Sequence, residues 1–380
     1  MKSTTVPGLA SLIAPFPVER FLSDHWPETP LHVPGPVERL REALGVPELR
    51  DFRTFERAWP YNALVLSKRG GDESSGISID GPAIRRVFDA GLPMFLHRPD
   101  RAFPALREWI DALRNDLGFP ANGQLLCSTH ASPGGTTTAM HFDDALSFVL
   151  QLSGTKTWHV APNRSIPRPT GRYSIAMPGL DGALAACLVE PLPRELPRDA
   201  ISITLQPGSV LFLPSGWWHA VDGVDESLAL MFIGLNWNWA DVVSRVVRRT
   251  LAKDLAWRKL AIGAGSENAA YREKARAEVS ALLAVLPELL AQISVDDLLT
   301  RRYVRSALTS CELANGVATF ESDSALSRVE LDSEQQRVLD AVLASGGVVT
   351  AQDLVDRGHG PAVVDAVLRA LVSVGYMRVD

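Results

Sequence analysis

Two histidines and an aspartate are the residues of this chain best suited to chemistry. His141 and Asp143 stand two apart in Thr138-Ala139-Met140-His141-Phe142-Asp143-Asp144, and His219 ends the later run Pro214-Ser215-Gly216-Trp217-Trp218-His219. On an extended strand, positions two apart project to one face. A second histidine from a distant strand then gives two imidazoles and one carboxylate on one side of a metal. That set leaves coordination positions open and suits non-haem Fe(II) oxygenases. His-x-Asp alone is a weak signal, since a lone histidine beside a strand is usually a core or surface residue. Its setting strengthens it: a Gly/Thr turn, Pro133–Thr137, precedes it and an apolar strand follows. His219 comes after Val210–Leu213 and a Pro-Ser-Gly turn, so it emerges at a strand end.

Lys156 is the second informative residue. In Lys156-Thr157-Trp158-His159-Val160, alternation puts the lysine on one face with Trp158 and Val160. An ammonium on an inward face carries a large desolvation cost unless an anion meets it. The plain reading is an edge lysine that reaches out to water; the sharper one is a site for the distal carboxylate of a dicarboxylate co-substrate. Thr138, three residues before His141, can offer that carboxylate a hydroxyl. His159 alternates away from Lys156 and is expected to face outward. His130 is read in the Gly/Pro-rich turn, a weak candidate for a substrate contact. Trp217 and Trp218 are expected to pack, and His25, His32, His97 and His359 carry no signal.

The elements that must position these groups are legible in part. Gln124–Thr129, Leu146–Leu152, Thr155–Val160, Val210–Leu213 and Leu228–Ile233 read as strands, with helical patches near Pro36–Leu44 and Leu106–Leu117. The proline-rich stretch Pro162–Pro197 reads as a long insertion between strands, over the mouth of the site. From about Trp239 to residue 310 apolar residues recur at helical spacing, as in Val242, Val243, Val246, Val247 and Val279, Leu282, Leu283, Leu286, Leu290. Those faces exceed what one chain should cover, so a homodimer through residues 240–310 is expected. Glu321–Val329 is polar and reads as a linker. Beyond it, Ser333 and Gln336 read as a capping box, Thr350 as a second cap, Pro361 as a helix start and Tyr376–Val379 as a strand, together a small winged helix.

Composition narrows the class. A chain of 380 residues with 46% hydrophobic and 22% charged residues fits an ordinary globular protein of two or three domains. The net charge of −6 gives no footprint for nucleic acid or an anionic membrane. The C-terminal fifty residues are themselves acidic, which argues against a DNA-binding role for the winged helix. The opening segment Met1–Pro7 lacks an apolar signal core, and no run reaches the ~20 residues of a membrane helix. Three scattered cysteines fit a reducing compartment, so a cytoplasmic protein is expected.

With these motifs assembled, Gln124–Pro162, Leu205–Leu235 and the opening Phe21–Leu31 resemble the JmjC-domain (cupin-like) Fe(II)/2-oxoglutarate oxygenases, especially the ribosomal-oxygenase branch. The marks are Thr138-x-x-His141-x-Asp143, Lys156, and Pro207–Val221 with His219 within it. The order also resembles a protein-asparaginyl hydroxylase. The resemblance implies a double-stranded β-helix (jelly-roll) oxygenase domain over residues 1–238, a helical dimerisation domain over 239–320 and a winged-helix-like domain over 330–380. It implies Fe(II) on His141, Asp143 and His219, 2-oxoglutarate held by Lys156 and Thr138 with Ser227 as a weaker contact, and O2 as the oxidant. The chain departs from the family where a tyrosine or asparagine usually precedes the first ligand, so Gln124 or Ser128 would have to substitute. Three functions follow from different classes: hydroxylation of a side chain in a protein, ribosomal or other; tailoring of a peptide or small molecule; or a non-catalytic metal-binding cupin, which has no need of all four site residues.

Overall fold

A computed structural model of the protein describes residues 6–66, 76–119, 124–235, 238–300, 302–305, 309–314, 316–322 and 325–379; Met1–Thr5 of the opening segment lie outside them. The chain divides into two compact units, one of residues 1–119 and 124–236, the other of 120–123 and 237–380.

Two antiparallel sheets build the first unit. Its strands are β1 (Leu31–Val33), β2 (Ala63–Leu66), β3 (Gly76–Ile79), β4 (Met94–His97), β5 (Gln124–Ser132), β6 (Thr137–Phe142), β7 (Leu146–Ser153), β8 (Lys156–Ala161), β9 (Tyr173–Ser174), β10 (Ile201–Leu205), β11 (Val210–Leu213), β12 (Trp218–Gly223) and β13 (Ser227–Leu235). Eight form one sheet in the order β1-β11-β7-β13-β5-β4-β2-β3, and five form the other as β10-β8-β12-β6-β9. The sheets share a core: Val149, Leu211 and Ala229 of the larger pack with Trp158, Val160, Leu205 and Val221 of the smaller. Alternation explains this, because β8 buries Lys156, Trp158 and Val160 while Thr157 and His159 are less buried. The turn from β7 into β8 requires Gly154, with φ +66° and no room for a side chain, since a Cβ would stand 2.1 Å from the Glu226 carbonyl oxygen. This is a mixed α/β architecture of several antiparallel sheets and helices. Val37–Leu44 and Ala105–Asp116 are helices, close to the two expected patches.

In the second unit helices run over Trp239–Leu251, Ala269–Leu290 and Val295–Leu299, and strands take over at Arg302–Arg305 and Thr309–Ala314, so the helical stretch ends about ten residues before 310. The described residues of the expected linker Glu321–Val329 belong instead to the strands Val317–Ser322 and Ala325–Glu330, which pair with each other; 323 and 324 lie outside the described residues. Its polarity misleads because little of its described part is buried: Glu321 and Arg328 are exposed, and Val329 packs, partly buried, against the core of Ala318, Phe320, Val338 and Leu339. The capping box at the next helix is one residue earlier than expected, on Asp332 and Gln335 rather than Ser333 and Gln336. Thr350 caps its helix as expected, with Asp353 reciprocating, and Pro361 opens the last helix. Among the described residues no helix is long and apolar enough to cross a membrane.

Candidate active site

The smaller sheet brings the three chemical residues together. β12 pairs with β6 so that His219 lies opposite His141, and Asp143 follows the end of β6. One donor atom from each of His141, Asp143 and His219 falls within 4.8 Å of the others. Asp143 Oδ2 closes the set, 3.7 Å from His141 Nε2 and 3.6 Å from His219 Nε2. Each imidazole is oriented from behind by a main-chain carbonyl. His141 Nδ1 is 2.7 Å from Ala139 O, and His219 Nδ1 is 3.0 Å from Trp217 O. Those bonds keep the proton on Nδ1 and leave each Nε2 beside Asp143 Oδ2, the arrangement that metal-binding histidines use. Burial, with the charge of His141 adding, pushes the His219 pKa down to about 3, so it is a neutral ligand near neutral pH. Desolvation resists ionisation of Asp143, but its electrostatic interactions with His141, His219 and Arg172, and the hydrogen bond from Arg172, outweigh it and hold the carboxyl below its ordinary range. Two imidazoles and a carboxylate fit a divalent metal such as Fe(II).

Thr138 reaches this face through a bulge. Three residues on a regular strand would turn it away from His141, but the register slips so that His219 pairs with His141 while Val221 pairs with Thr138. The extra residue in β6 restores the phase, and Thr138, His141, Lys156 and His219 share the inner face of the sheet. The hallmark spacing Thr-x-x-His is thus a bulged strand written in sequence.

Lys156 is 1% exposed and has no ion-pair partner among the described residues. Burial pushes its pKa down to about 7. Around it lies a polar lining in an otherwise apolar core. His130 Nδ1 is 3.4 Å from Lys156 Nζ, and Ser132 Oγ is 3.4 Å from His130 Nε2. Ser227 lies across from Ser132, and Gln151 shares the β13 partner Ala229 with His130. The Ser227 hydroxyl and Gln151 Oε1 are buried without a hydrogen-bond partner among the described residues. Buried polar atoms are rarely left so. A cation near neutrality with spare polar groups about it is the imprint of an anionic ligand, and 2-oxoglutarate fits that imprint.

His130 was misplaced by sequence reasoning. It lies on β5, not in the turn, because that strand continues to Ser132; its ring stacks on Phe95 at 4.3 Å. Period-two alternation carried beyond Thr129 would have found it. Of the proposed tyrosine substitutes, Gln124 is exposed and Ser128 bonds His97, so neither stands where His130 does. His159 faces outward as expected, between Ser202 and Asp222. Trp218 packs beside Phe142.

Comparison with known proteins agrees with this geometry. Residues 98–244 match the family model of the cupin-like domain. Bacillus subtilis YxbC is 27% identical over 293 residues, 76% of this chain and 89% of that one. The bifunctional lysine-specific demethylase and histidyl-hydroxylase NO66 of Drosophila persimilis is 26% identical over 56% of this chain, and ribosomal oxygenase 1 of Gallus gallus 25% over 65%. The chain matches only 29% and 41% of the length of those two. The Escherichia coli structure of YcfD aligns over 96% of this chain and 98% of that one, at 17% identity and a TM-score of 0.45. Residues 98–244 of the first unit thus match the cupin-like domain, and His141, Asp143 and His219 within them form a cluster that could hold a metal ion, in a chain that resembles ribosomal oxygenase 1 and NO66 in sequence.

Proposed function

We propose that the chain hydroxylates an amino-acid side chain of a protein, with Fe(II) held by His141, Asp143 and His219 and 2-oxoglutarate anchored by Lys156. The observation that carries this reading is the pairing of a His-Asp-His ligand set with a buried lysine that has no ion-pair partner among the described residues. Thr138 and Ser227 contribute hydroxyls to the co-substrate carboxylate, and His130 braces the lysine. The bound metal with 2-oxoglutarate and O2 supplies the oxidising chemistry of this enzyme class. The protein's own part is to hold two imidazoles and a carboxylate on one face, to keep water from Lys156 by the core around it, and to orient the co-substrate by its distal end. A protein substrate is the reading favoured by the named activity of NO66 and by the name of ribosomal oxygenase 1.

The wider layout is proposed with it: a double-stranded β-helix over residues 1–238, a helical dimerisation segment from 239 to about 320 and a winged-helix-like end over 330–380, in a cytoplasmic homodimer. Helix Ala269–Leu290 supports the dimer, because it has no buried residue yet exposes Val279, Leu283 and Val285. The test of function is to incubate the purified protein with Fe(II), 2-oxoglutarate and a digest-ready pool of ribosomal proteins. Succinate formation with the gain of one oxygen atom on a protein side chain is expected. Succinate formation stimulated only by small peptides or metabolites would overturn the protein-substrate reading.

A further inference from the structure

The proline-rich insertion does more than cover the domain. β9 within it extends the smaller sheet beside β6, pairing His141 with Ser174 and Phe142 with Tyr173. Carried one step further, that antiparallel register sets Arg172 across from Asp143 on the same face, where directly opposed side chains meet. They do meet: Arg172 Nε donates to Asp143 Oδ1 at 2.7 Å. The other oxygen, Oδ2, is the one that faces both histidines.

Two further features fix the insertion here. Its residues Ile166 and Leu184 are buried with Met140, Phe142, Ala161 and Trp218, making a separate core on the outer side of the ligand strands. Gly216, in the turn before β12, has φ +83°, and a Cβ on it would stand 2.5 Å from Pro169 Cδ. The insertion therefore lies directly against that turn, and the Gly216 N–H donates to the Asp143 carbonyl at 2.7 Å. Main chain and side chain of Asp143 are held from both sides.

We propose that Arg172 is a positioning residue for the metal-binding carboxylate: it occupies Oδ1 and presents Oδ2 alone to the metal. The inference rests on the metal reading of His141, Asp143 and His219. Charge and orientation make opposite demands, which gives the test its sign. A guanidinium beside the site repels a dication, so by Coulomb's law alone its removal tightens metal binding. Loss of an orienting hydrogen bond weakens binding, typically by ~10–100-fold.

The experiment titrates Co(II) into the full-length protein by calorimetry and visible absorption, comparing wild type with Arg172→Ala, Arg172→Lys and Arg168→Ala. Arg168 belongs to the same insertion but pairs with Glu28 at the surface. The expected result is ~10–100-fold weaker Co(II) binding in Arg172→Ala with an altered Co(II) spectrum, partial recovery in Arg172→Lys, and no change in Arg168→Ala. Tighter or unchanged Co(II) binding in Arg172→Ala overturns the inference. So does equal weakening in Arg168→Ala, which would make the insertion a mere brace, or a defect confined to 2-oxoglutarate binding, which would make Arg172 a co-substrate contact. Should Arg172→Ala fail to fold, Arg172→Lys decides by its spectrum alone: a wild-type spectrum and affinity overturns the proposal. Absence of Co(II) binding by wild type would overturn the metal reading itself.

Discussion

The two units of this protein break the usual rules of burial in opposite ways. The first hides polar groups: Lys156, His130, Gln151 and Ser227 lie within a core that apolar residues could have filled. The second shows apolar ones: Val279, Leu283 and Val285 are 49%, 54% and 41% exposed along a helix with no buried residue. Neither is an arrangement that one chain's stability selects, since a buried unpaired lysine costs free energy and an exposed leucine forgoes it. Each departure points to something missing from the single chain. In the first unit the proposed complement is a metal and the 2-oxoglutarate anion, and in the second the proposed complement is the apolar surface of a second copy. The tight cluster of Val338, Leu339, Leu354 and Leu368 shows that the second unit can build a core where its sequence intends one.

The comparison is broken most completely at the metal. Asp143→Ala removes the only carboxylate of the ligand set, and Fe(II)-dependent conversion of 2-oxoglutarate to succinate should fall to background. Full succinate formation in that variant would mean that the cluster of His141, Asp143 and His219 is no metal site. Next in size is Lys156→Ala. Losing a charge-assisted contact to a desolvated carboxylate should cost about 2–5 kcal/mol, read as a raised dissociation constant for 2-oxoglutarate. Co(II) affinity should stay as in wild type; equal losses for metal and co-substrate would make the lysine a packing residue.

A smaller effect sharpens the other side. If a second copy covers the helix Ala269–Leu290, Leu283→Ser should weaken the dimer by about 1.5–3 kcal/mol per copy, the worth of burying one such side chain. Light scattering at micromolar concentration should show twice the chain mass for wild type and a shift toward single-chain mass for the variant. A wild-type monomer would sink the assembly proposal while leaving the oxygenase site untouched.

How much of this was legible in sequence follows from the range of each signal. The strands of the first unit's core were readable because their apolar runs are local, and Val210–Leu213 matched to the residue. The cluster of His141, Asp143 and His219 was readable because the first two stand two apart at one strand end and the third ends a short motif of its own, though 76 residues after Asp143. Arg172 was not, because its role comes from a register between an edge strand and β6, which no periodicity records. His130 was lost to a strand end misjudged by three residues, and the strand Ala325–Glu330 to exposed polar residues such as Arg328 that outweighed Val329.

The last and smallest expected effect concerns pH. Burial leaves the Lys156 pKa at about 7 in the free protein, well under the 10.5 of an exposed lysine. A carboxylate arriving beside it favours the charged form and raises that pKa, so binding takes up a proton wherever the free lysine is neutral. Affinity for 2-oxoglutarate is therefore fully expressed below about pH 7 and declines as pH rises through it, by roughly tenfold per unit until the bound-state pKa is reached. The nearest titratable neighbour does not blur this. Burial, with the charges of Lys156 and His141 adding, holds His130 far below its ordinary pKa, so it stays neutral throughout. Calorimetry of 2-oxoglutarate binding to the Co(II) protein, run from pH 6.5 to 8.5 in buffers of differing ionisation enthalpy, should show both the decline and the proton uptake. In Lys156→Ala the slope should vanish. A slope that survives the substitution would belong to the metal ligands, and a flat wild-type profile would mean that the lysine keeps its proton without the co-substrate.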